Sequence, residues 1–268
     1  VLRVLMLFVA GVVVVAILLG KSPMTLFAGL GATSAVLMLV FKDTITGLAA
    51  GVRLTSNDML HKGDWITVKS VDANGIVEDM SLTTVKVRNF DNTIVTISPI
   101  TLVNGSFQNW IGMQKSGGRR VKRVVYFDFR SVRLVDETLK RNLLAKHFAT
   151  EDSFKLKESL QKAIDKDIQE GKDIEDLKNP AALAPTNLQL YRKFMEKYLR
   201  QRPEVNTDLT LMVRHMEATQ CGLPIEFYFF IKDKVWVNYE HILADIMEHA
   251  YALANEFDLK IYEQYPEQ

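Results

Sequence analysis

From Val4 to Gly20 the chain carries no charge and is built mainly of Val, Leu and Ile. At about 1.5 Å per residue, such a run spans most of a ~30 Å hydrocarbon layer as a helix, so a membrane helix is predicted over residues 1–21. A signal peptide or a buried core helix is the competing reading, against which no small-residue cleavage site precedes a mature domain. A second uncharged run, Ser22 to Phe41, follows after Lys21-Ser22-Pro23, a break short enough to require a tight helical hairpin. Its composition is different: Ala28, Gly29, Gly31, Ala32, Ser34 and Ala35 recur along it, and Gly47, Ala49, Ala50 and Gly51 continue the series. Small residues let helix backbones approach closely where lipid supplies no hydrophobic drive for association, so this helix is predicted to touch other helices, in neighbouring subunits or in its own. Lys42, Asp43, Thr44 and Thr46 interrupt the apolar pattern before Ile45, Leu48, Ala49 and Val52 resume it. A bend or change of role is expected at Asp43, either as a functional charge site or as the point where the helix leaves the bilayer. The stretch Gly47 to Val52 then has the small, amphipathic character of a segment lying along the interface, and the second helix with this continuation fills residues 22–62.

From Gly63 the period changes from helical to alternating. Trp65 to Val68, Gly75 to Val77, Thr83 to Val87 and Thr93 to Ile97 are β-branched runs, with turn signals at Asp72-Ala73-Asn74-Gly75 and Asp91-Asn92. With a last segment reaching Asn109-Trp110, they predict a small β-barrel or curled sheet of roughly five strands over residues 63–112. A basic linker, Lys115 to Arg120, opens a second soluble domain over residues 113–268. There Val121 to Phe129 reads as a strand, Val132 to Phe148 as a helix, Leu209 to Met216 and Ile225 to Ile231 as strands, Tyr239 to Phe257 as a helix and Leu259 to Tyr262 as a strand. That is the ferredoxin-like order βαββαβ. It is interrupted at about 149–204 by an insertion holding a charged piece (Lys155 to Lys178), a break at Asn179 to Pro185, and a helix with Leu188, Tyr191, Phe194, Met195, Tyr198 and Leu199 on one face. That face suits either packing on its own domain or docking to another protein. The expected fold is thus a membrane helical hairpin followed by an α+β soluble part, an Sm- or SH3-like barrel and a ferredoxin-like domain.

Charge and chemistry narrow the function by exclusion. A formal net charge of +1 gives no long-range field of either sign, which argues against a general nucleic-acid binder. The β-domain is read as lacking an aromatic stacking platform and any basic stripe beyond Lys69, Lys86 and Arg88, so no nucleic-acid partner is expected. Cys221 is the one cysteine, which rules out an internal disulfide and suits a reducing compartment. It has no neighbouring His in sequence to activate it and is read as structural. His241 and His249 share a helix with Asp245 and Glu248, but two ligands two turns apart do not make one simple metal site. Gly117-Gly118 lacks the strand-loop-helix setting of a phosphate loop. No enzyme activity, metal or cofactor is expected. The chain opens on Val1 inside an apolar run, so it is read as a fragment whose N-terminus is missing.

Over roughly Ala28 to Trp110 these elements resemble the mechanosensitive channel of small conductance family. Gly47-Leu48-Ala49-Ala50-Gly51-Val52 looks like its leucine-alanine-alanine-glycine element, and Gly63-Asp64-Trp65-Ile66-Thr67-Val68 is similar to the glycine-aspartate opening of its β-domain. Gly75 to Glu78, Thr84 to Arg88, Val95 to Pro99 and Asn109-Trp110 fall where the family has equivalent features. Three positions depart from its pattern: Asp58-Met59-Leu60 replaces arginine-proline-phenylalanine, Pro99-Ile100 replaces proline-asparagine, and Asp43 stands at the glycine hinge. The inserted helices after Phe148 have no counterpart in the basic pattern.

The resemblance implies a homo-heptamer in a bacterial inner membrane, with soluble domains in the cytoplasm and the second span of each subunit lining a pore. It implies opening by membrane tension and release of ions and small solutes on osmotic downshock, with membrane lipid and ions as partners. Helical spacing puts Ala32, Ala35 and Leu39 along one face with Val36 beside them. The family alignment places Ala35 and Leu39 at two gate rings, of which Leu39 is the bulkier and forms the apolar constriction; packing between subunits is the other role open to Leu39. Gly47, Ala49, Ala50 and Gly51, with Asp43, would supply close helix packing and the bend. The alternative function is a membrane-tethered scaffold or sensor whose β-domain binds a protein or RNA.

Overall fold

In the computed structural model, which describes residues 2–155, 162, 166 and 184–263, both uncharged runs are helical. Helix α1 spans Leu2–Leu18 and α2 spans Pro23–Ser56. Gly20, at φ 64°, turns the chain between them. Ser22 Oγ then accepts from the Thr25 N–H at 3.3 Å, and Pro23 takes the first helical turn, where its missing N–H removes no bond. α2 continues unbroken for 34 residues, about 51 Å at the helical rise. The change expected at Asp43 is therefore not marked by any interruption. Thr46 Oγ1 donates back to the Lys42 carbonyl at 2.7 Å, which satisfies the hydroxyl inside the helix.

The chain divides into two units, Val1–Ile111 and Gly112–Gln268. In the first, β1 (Trp65–Val68), β2 (Ala73–Met80), β3 (Val85–Asn89), β4 (Ile94–Ile97) and β5 (Gln108–Asn109) form an antiparallel sheet in the order β4-β3-β2-β1-β5. Helix α3 (Pro99–Asn104) joins β4 to β5. Alternation directs Ile66, Val68, Ala73, Val77, Val85, Val87 and Ile97 to one side, where Leu54, Leu60 and Leu102 complete a buried core. The turn before β2 is made by Asp72 in the left-handed region, φ 52°. Asn74-Gly75, expected within that turn, lie inside β2, where the Arg88 carbonyl sits where a Cβ on Gly75 would be. A register shift between Val77 and Asp79 adds the bulge that curls the sheet. The Asp91-Asn92 turn forms as expected. Asn92 takes φ 68°, and the Asp91 carboxylate accepts from Thr93 Oγ1 and N, which holds its pKa below the ordinary value.

In the second unit, preceded by the short helix α4 (Ile111–Lys115), β6 (Arg119–Phe127), β7 (Met212–His215) and β8 (Leu223–Ile231) form a sheet in the order β6-β8-β7. Helices α5 (Glu137–Ala145), α6 (Glu151–Phe154), α7 (Asn187–Gln201) and α8 (Trp236–Ala254) complete the described elements. Val121, Val125, Phe127, Ile225, Phe227 and Phe229 meet Leu143, Tyr191, Met195, Leu199, Ile246 and Ala250 in one core. The helix expected from Val132 is shorter at its start, because Asp136 caps α5 through the Leu139 N–H at 2.8 Å. The expected strand Leu259–Tyr262 is reduced to a bridge between Phe127 and Ile261, flanked by bonds from Asp128 N to Lys260 O and from Tyr262 N to Tyr126 O. Asp258, at φ 54°, turns the chain so that it meets only the end of β6.

The apolar face read on α7 packs into its own unit: Leu188, Tyr191, Met195 and Leu199 are buried, and Phe194 and Tyr198 lie at the margin. Its polar side closes the outer edge of β7, with Glu196 Oε1 accepting from Val213 N at 3.0 Å and Arg192 Nη1 donating to Val213 O at 3.2 Å. An exposed edge would otherwise be a template for another strand. Most of the insertion read before it, Lys155 to Lys178 and the break that follows, lies outside the described residues. Asn187 is fully buried and fully used. Its Nδ2 donates to the Ser131 and Phe257 carbonyls at 2.8 and 3.0 Å, and its Oδ1 accepts from Arg133 N and Leu188 N. Asn187→Ala leaves these groups unpaired in the interior and is expected to cost about 2–4 kcal/mol. A thermal melt followed by circular dichroism should shift down by several degrees, and a melt like that of the wild type contradicts the assignment.

Candidate functional site

The site is α2 and its seat on the small sheet. From Ala28 to Thr46 every residue of α2 is exposed, Leu39 at 73% and Val36 at 60%. The helix is long and apolar enough to cross a membrane, and none of its most apolar stretch is buried among the described residues. α1, at 17 residues, is shorter. It meets only the beginning of α2, where Leu7, Phe8, Gly11, Val12, Val15, Leu26 and Leu30 line an apolar groove.

At 100° per residue, Ala32, Ala35, Val36 and Leu39 fall within about 100° of arc, so one face carries all four predicted pore residues. The opposite face carries Leu30, Leu37 and Phe41. The structure places Ala32, Ala35, Val36 and Leu39 on one stripe but gives them no partner within the described residues.

The lower part of α2 is held differently. Ala50, Gly51 and Leu54 are buried, and a Cβ on Gly51 would run into the backbone of Leu82 in the β2–β3 turn. Gly51 is therefore required by its own chain: helix and turn touch backbone to backbone. Within Gly47 to Val52, Ala50 and Gly51, with Leu54 a turn on, are the stem by which α2 stands on the β-domain, while Leu48, Ala49 and Val52 stay exposed. Ala49 is exposed, and a Cβ on Gly29, Gly31 or Gly47 would meet nothing within 4 Å. The small residues thus form two sets, one used inside the chain and one left open.

The β-domain also holds, toward the start of β2, an aromatic cluster that the sequence reading missed. Trp65 and Trp110 stack at 4.8 Å between centroids, and Phe90 meets Trp65 edge-on at 5.3 Å. Their indole N–H groups donate to Asn74 Oδ1 and Thr67 Oγ1. The expectation of no aromatic platform is therefore corrected. The signal was hidden because Trp65 and Trp110 are neighbours only through the β1–β5 pairing. The cations nearby are neutralised, Arg88 by Glu78 at 2.7 Å and Lys86 by Asp79 at 3.9 Å.

The residues weighed for chemistry do not converge. His249 stacks on Tyr198 and its Nδ1 lies 2.8 Å from the Asp245 carbonyl. Cys221 is exposed in the turn before β8. Among the described residues no group of three or more His, Cys, Asp or Glu is placed to hold a metal.

Residues 43–112 match the family described as mechanosensitive ion channel, beta-domain. Among curated proteins, the small-conductance mechanosensitive channel MscMJ of Methanocaldococcus jannaschii is 34% identical over 31% of this chain and 23% of its own length. The large-conductance mechanosensitive channel MscMJLR of the same organism is 29% identical over 55% of this chain and 40% of its own. The chain therefore spans less than half the length of these relatives. In fold it is similar to Arabidopsis thaliana MSL1 (TM-score 0.62, 11% identity, 98% of this chain and 74% of that one) and to Helicobacter pylori MscS in its closed state (0.57, 13%, 99% and 80%). Residues 43–112 are thus a β-domain of the mechanosensitive ion channel type, and the fold of the chain is similar to that of MscS.

The seat makes a direct prediction. Gly51→Leu forces a side chain into the Leu82 backbone and should destabilise the first unit by about 1–3 kcal/mol or more, lowering the protease resistance of the β-domain, whereas Gly47→Leu meets nothing within its own chain and should leave that resistance unchanged, its effect falling on contacts between subunits. Equal effects at both positions would refute the division of the small residues into two sets.

Proposed function

We propose that this chain is the pore-forming part of a tension-gated ion channel assembled from identical subunits, with seven as the number implied by the family resemblance. The observation that carries the reading is an uncovered apolar helix rooted, through Gly51, in a β-domain of the mechanosensitive type. Side chains exposed along Ala28 to Thr46 have two ways to leave water, into lipid or against copies of the same helix. The open glycines favour the second, Gly29 and Gly47 on one flank of the Ala32–Leu39 stripe and Gly31 on the other, since nothing in the described residues requires their lack of a side chain. The bulkier Leu30, Leu37 and Phe41 suit the outer side. In a ring, Leu39 would then project furthest into the lumen, and a collar of leucines would hold water out without a plug.

The same geometry gives Asp43 a role. Around the helix, Ala50 and Leu54, which face the β-domain, lie in nearly the same sector as Ala32 and Leu39. A rotation or bend between the two halves lets one face the lumen while the other stays on its seat, and Asp43 is where the apolar pattern breaks. α1 forms the second arm of a membrane hairpin, and the order of the second unit's elements with the Phe127–Ile261 bridge supports a ferredoxin-like domain. Both soluble parts lie in the cytoplasm of a bacterium, beneath the inner membrane, and the channel releases ions and small solutes on osmotic downshock. No catalytic step, cofactor or nucleic acid belongs to this reading. The Trp65–Trp110–Phe90 cluster is the one feature that favours the alternative, a tethered scaffold, and electrical recording separates the two.

Leu39→Ser should hydrate the constriction, so that purified channels in liposome patches open at lower tension and cells expressing the variant grow more slowly. If the threshold is unchanged by Leu39→Ser but falls with a replacement of Phe41, the pore lies on the other face of α2. Absence of tension-gated current in the wild-type protein would leave the scaffold as the better account.

A further inference from the structure

The loop from α2 to β1 is tied to the end of the β-domain by one side chain. Asn109, the last residue of β5, donates from Nδ2 to Asp64 Oδ2 at 2.7 Å and lies 3.3 Å from the Met59 carbonyl. Its Oδ1 accepts from the Ile111 N–H at 2.9 Å. Asp64, only 7% exposed, also accepts from His61 N at 3.1 Å through the same Oδ2. Three stretches thus meet at Asn109: the exit from α2 (Met59 to His61), the start of β1 (Asp64), and the chain leaving the sheet (Ile111). Backbone bonds hold the two ends of the loop, Met59 N to Leu54 O at 3.1 Å at the helix end and Gly63 N to Val77 O and Val77 N to Asp64 O at 2.8 and 2.9 Å at the sheet end, and the Asn109 side chain joins those ends to each other. Asp58 and Gly63 take φ 53° and 94°, and Asp58, Met59, His61 and Lys62 are exposed, leaving Leu60 as its core anchor. A charge-assisted bond that is nearly dry is among the stronger local ties a protein makes.

We propose that the Asp64–Asn109 bond is a positioning staple that holds α2 at its closed-state angle to the β-domain and must yield when α2 tilts, so that it helps set the tension at which the channel opens. The inference rests on the channel reading above. Ala50, Gly51 and Leu54 fix where α2 sits, whereas the staple fixes the loop that decides how it leaves. Cutting it should let the helix tilt without deforming the β1–β5 pairing.

The test uses the full-length protein in liposome patches at matched membrane abundance. Asn109→Asp sets two carboxylates against each other and removes the donor; it should open at lower tension, with the open fraction at a fixed subthreshold tension raised roughly tenfold or more. Asp64→Asn alone keeps an acceptor and should gate like the wild type. Combined with Asn109→Asp, it restores a donor and an acceptor in exchanged positions and should return the threshold to the wild-type value. Ile97→Ala, buried in the same core but on β4, the edge strand that pairs only with β3, loses stability without touching the staple and should leave the threshold in place. Should Asn109→Asp fail to reach the membrane, Asp64→Ala removes the same bond without adding charge and should show the same shift.

An unchanged or raised threshold in the variant that lacks the bond overturns the staple, as does a shift that the exchange does not reverse or that Ile97→Ala reproduces. Those results leave the channel reading standing. A wild-type protein with no tension-gated current removes that reading and the staple with it.

Discussion

The rest of the structure depends on one constraint: the middle of α2 is apolar and nothing among the described residues covers it. Leu37, Met38, Leu39, Val40 and Phe41 are each more than half exposed. Burying a large apolar side chain is worth about 1.5–3 kcal/mol, so a helix presenting five in succession is unfavourable in water and at home in lipid or against other helices. The helix itself satisfies its backbone, which is what permits such a segment in hydrocarbon. What the soluble part must then supply is a fixed root.

That root is built by closeness rather than by area. Gly51 lets α2 come down onto the backbone of the β2–β3 turn, and Leu54 joins a core of largely β-branched side chains from β1, β2, β3 and β4. A rigid sheet joined to a helix by backbone contact transmits displacement better than one joined by flexible side chains, because packed interiors yield little before they rearrange. The second unit is stabilised differently, through Asn187 binding three segments in its interior and α7 closing the edge of β7.

Period and composition made the elements legible. The two uncharged runs, the alternation from Trp65 to Ile97 and the strong helix near Tyr239 all appear where their patterns lie, since each rests on local side-chain spacing. What stayed hidden depends on pairings between distant residues. Gly75 resembled a turn residue because Asn-Gly is common in turns, yet its small size serves a cross-strand approach by Arg88. The stack of Trp65 on Trp110 and the meeting of Asp64 with Asn109 exist only after β5 pairs with β1. The last strand was overestimated because its apolar alternation is real, while the turn at Asp258 aims it at only the end of β6. In the candidate site, the small residues were legible as a group, but the separation of Gly51 from Gly29, Gly31 and Gly47 was not, because sequence does not say which backbone each one meets.

The central claim is that one face of α2 borders a water-filled path. It is tested most directly by placing single cysteines from Ala28 to Thr46 in a Cys221→Ser background and recording block of tension-activated current by a charged, membrane-impermeant thiol reagent. The account predicts block with helical period, strongest at Ala32, Ala35 and Leu39 and absent at Leu30, Leu37 and Phe41. Block centred on Leu30, Leu37 and Phe41, or no periodic block in channels that conduct, would contradict it.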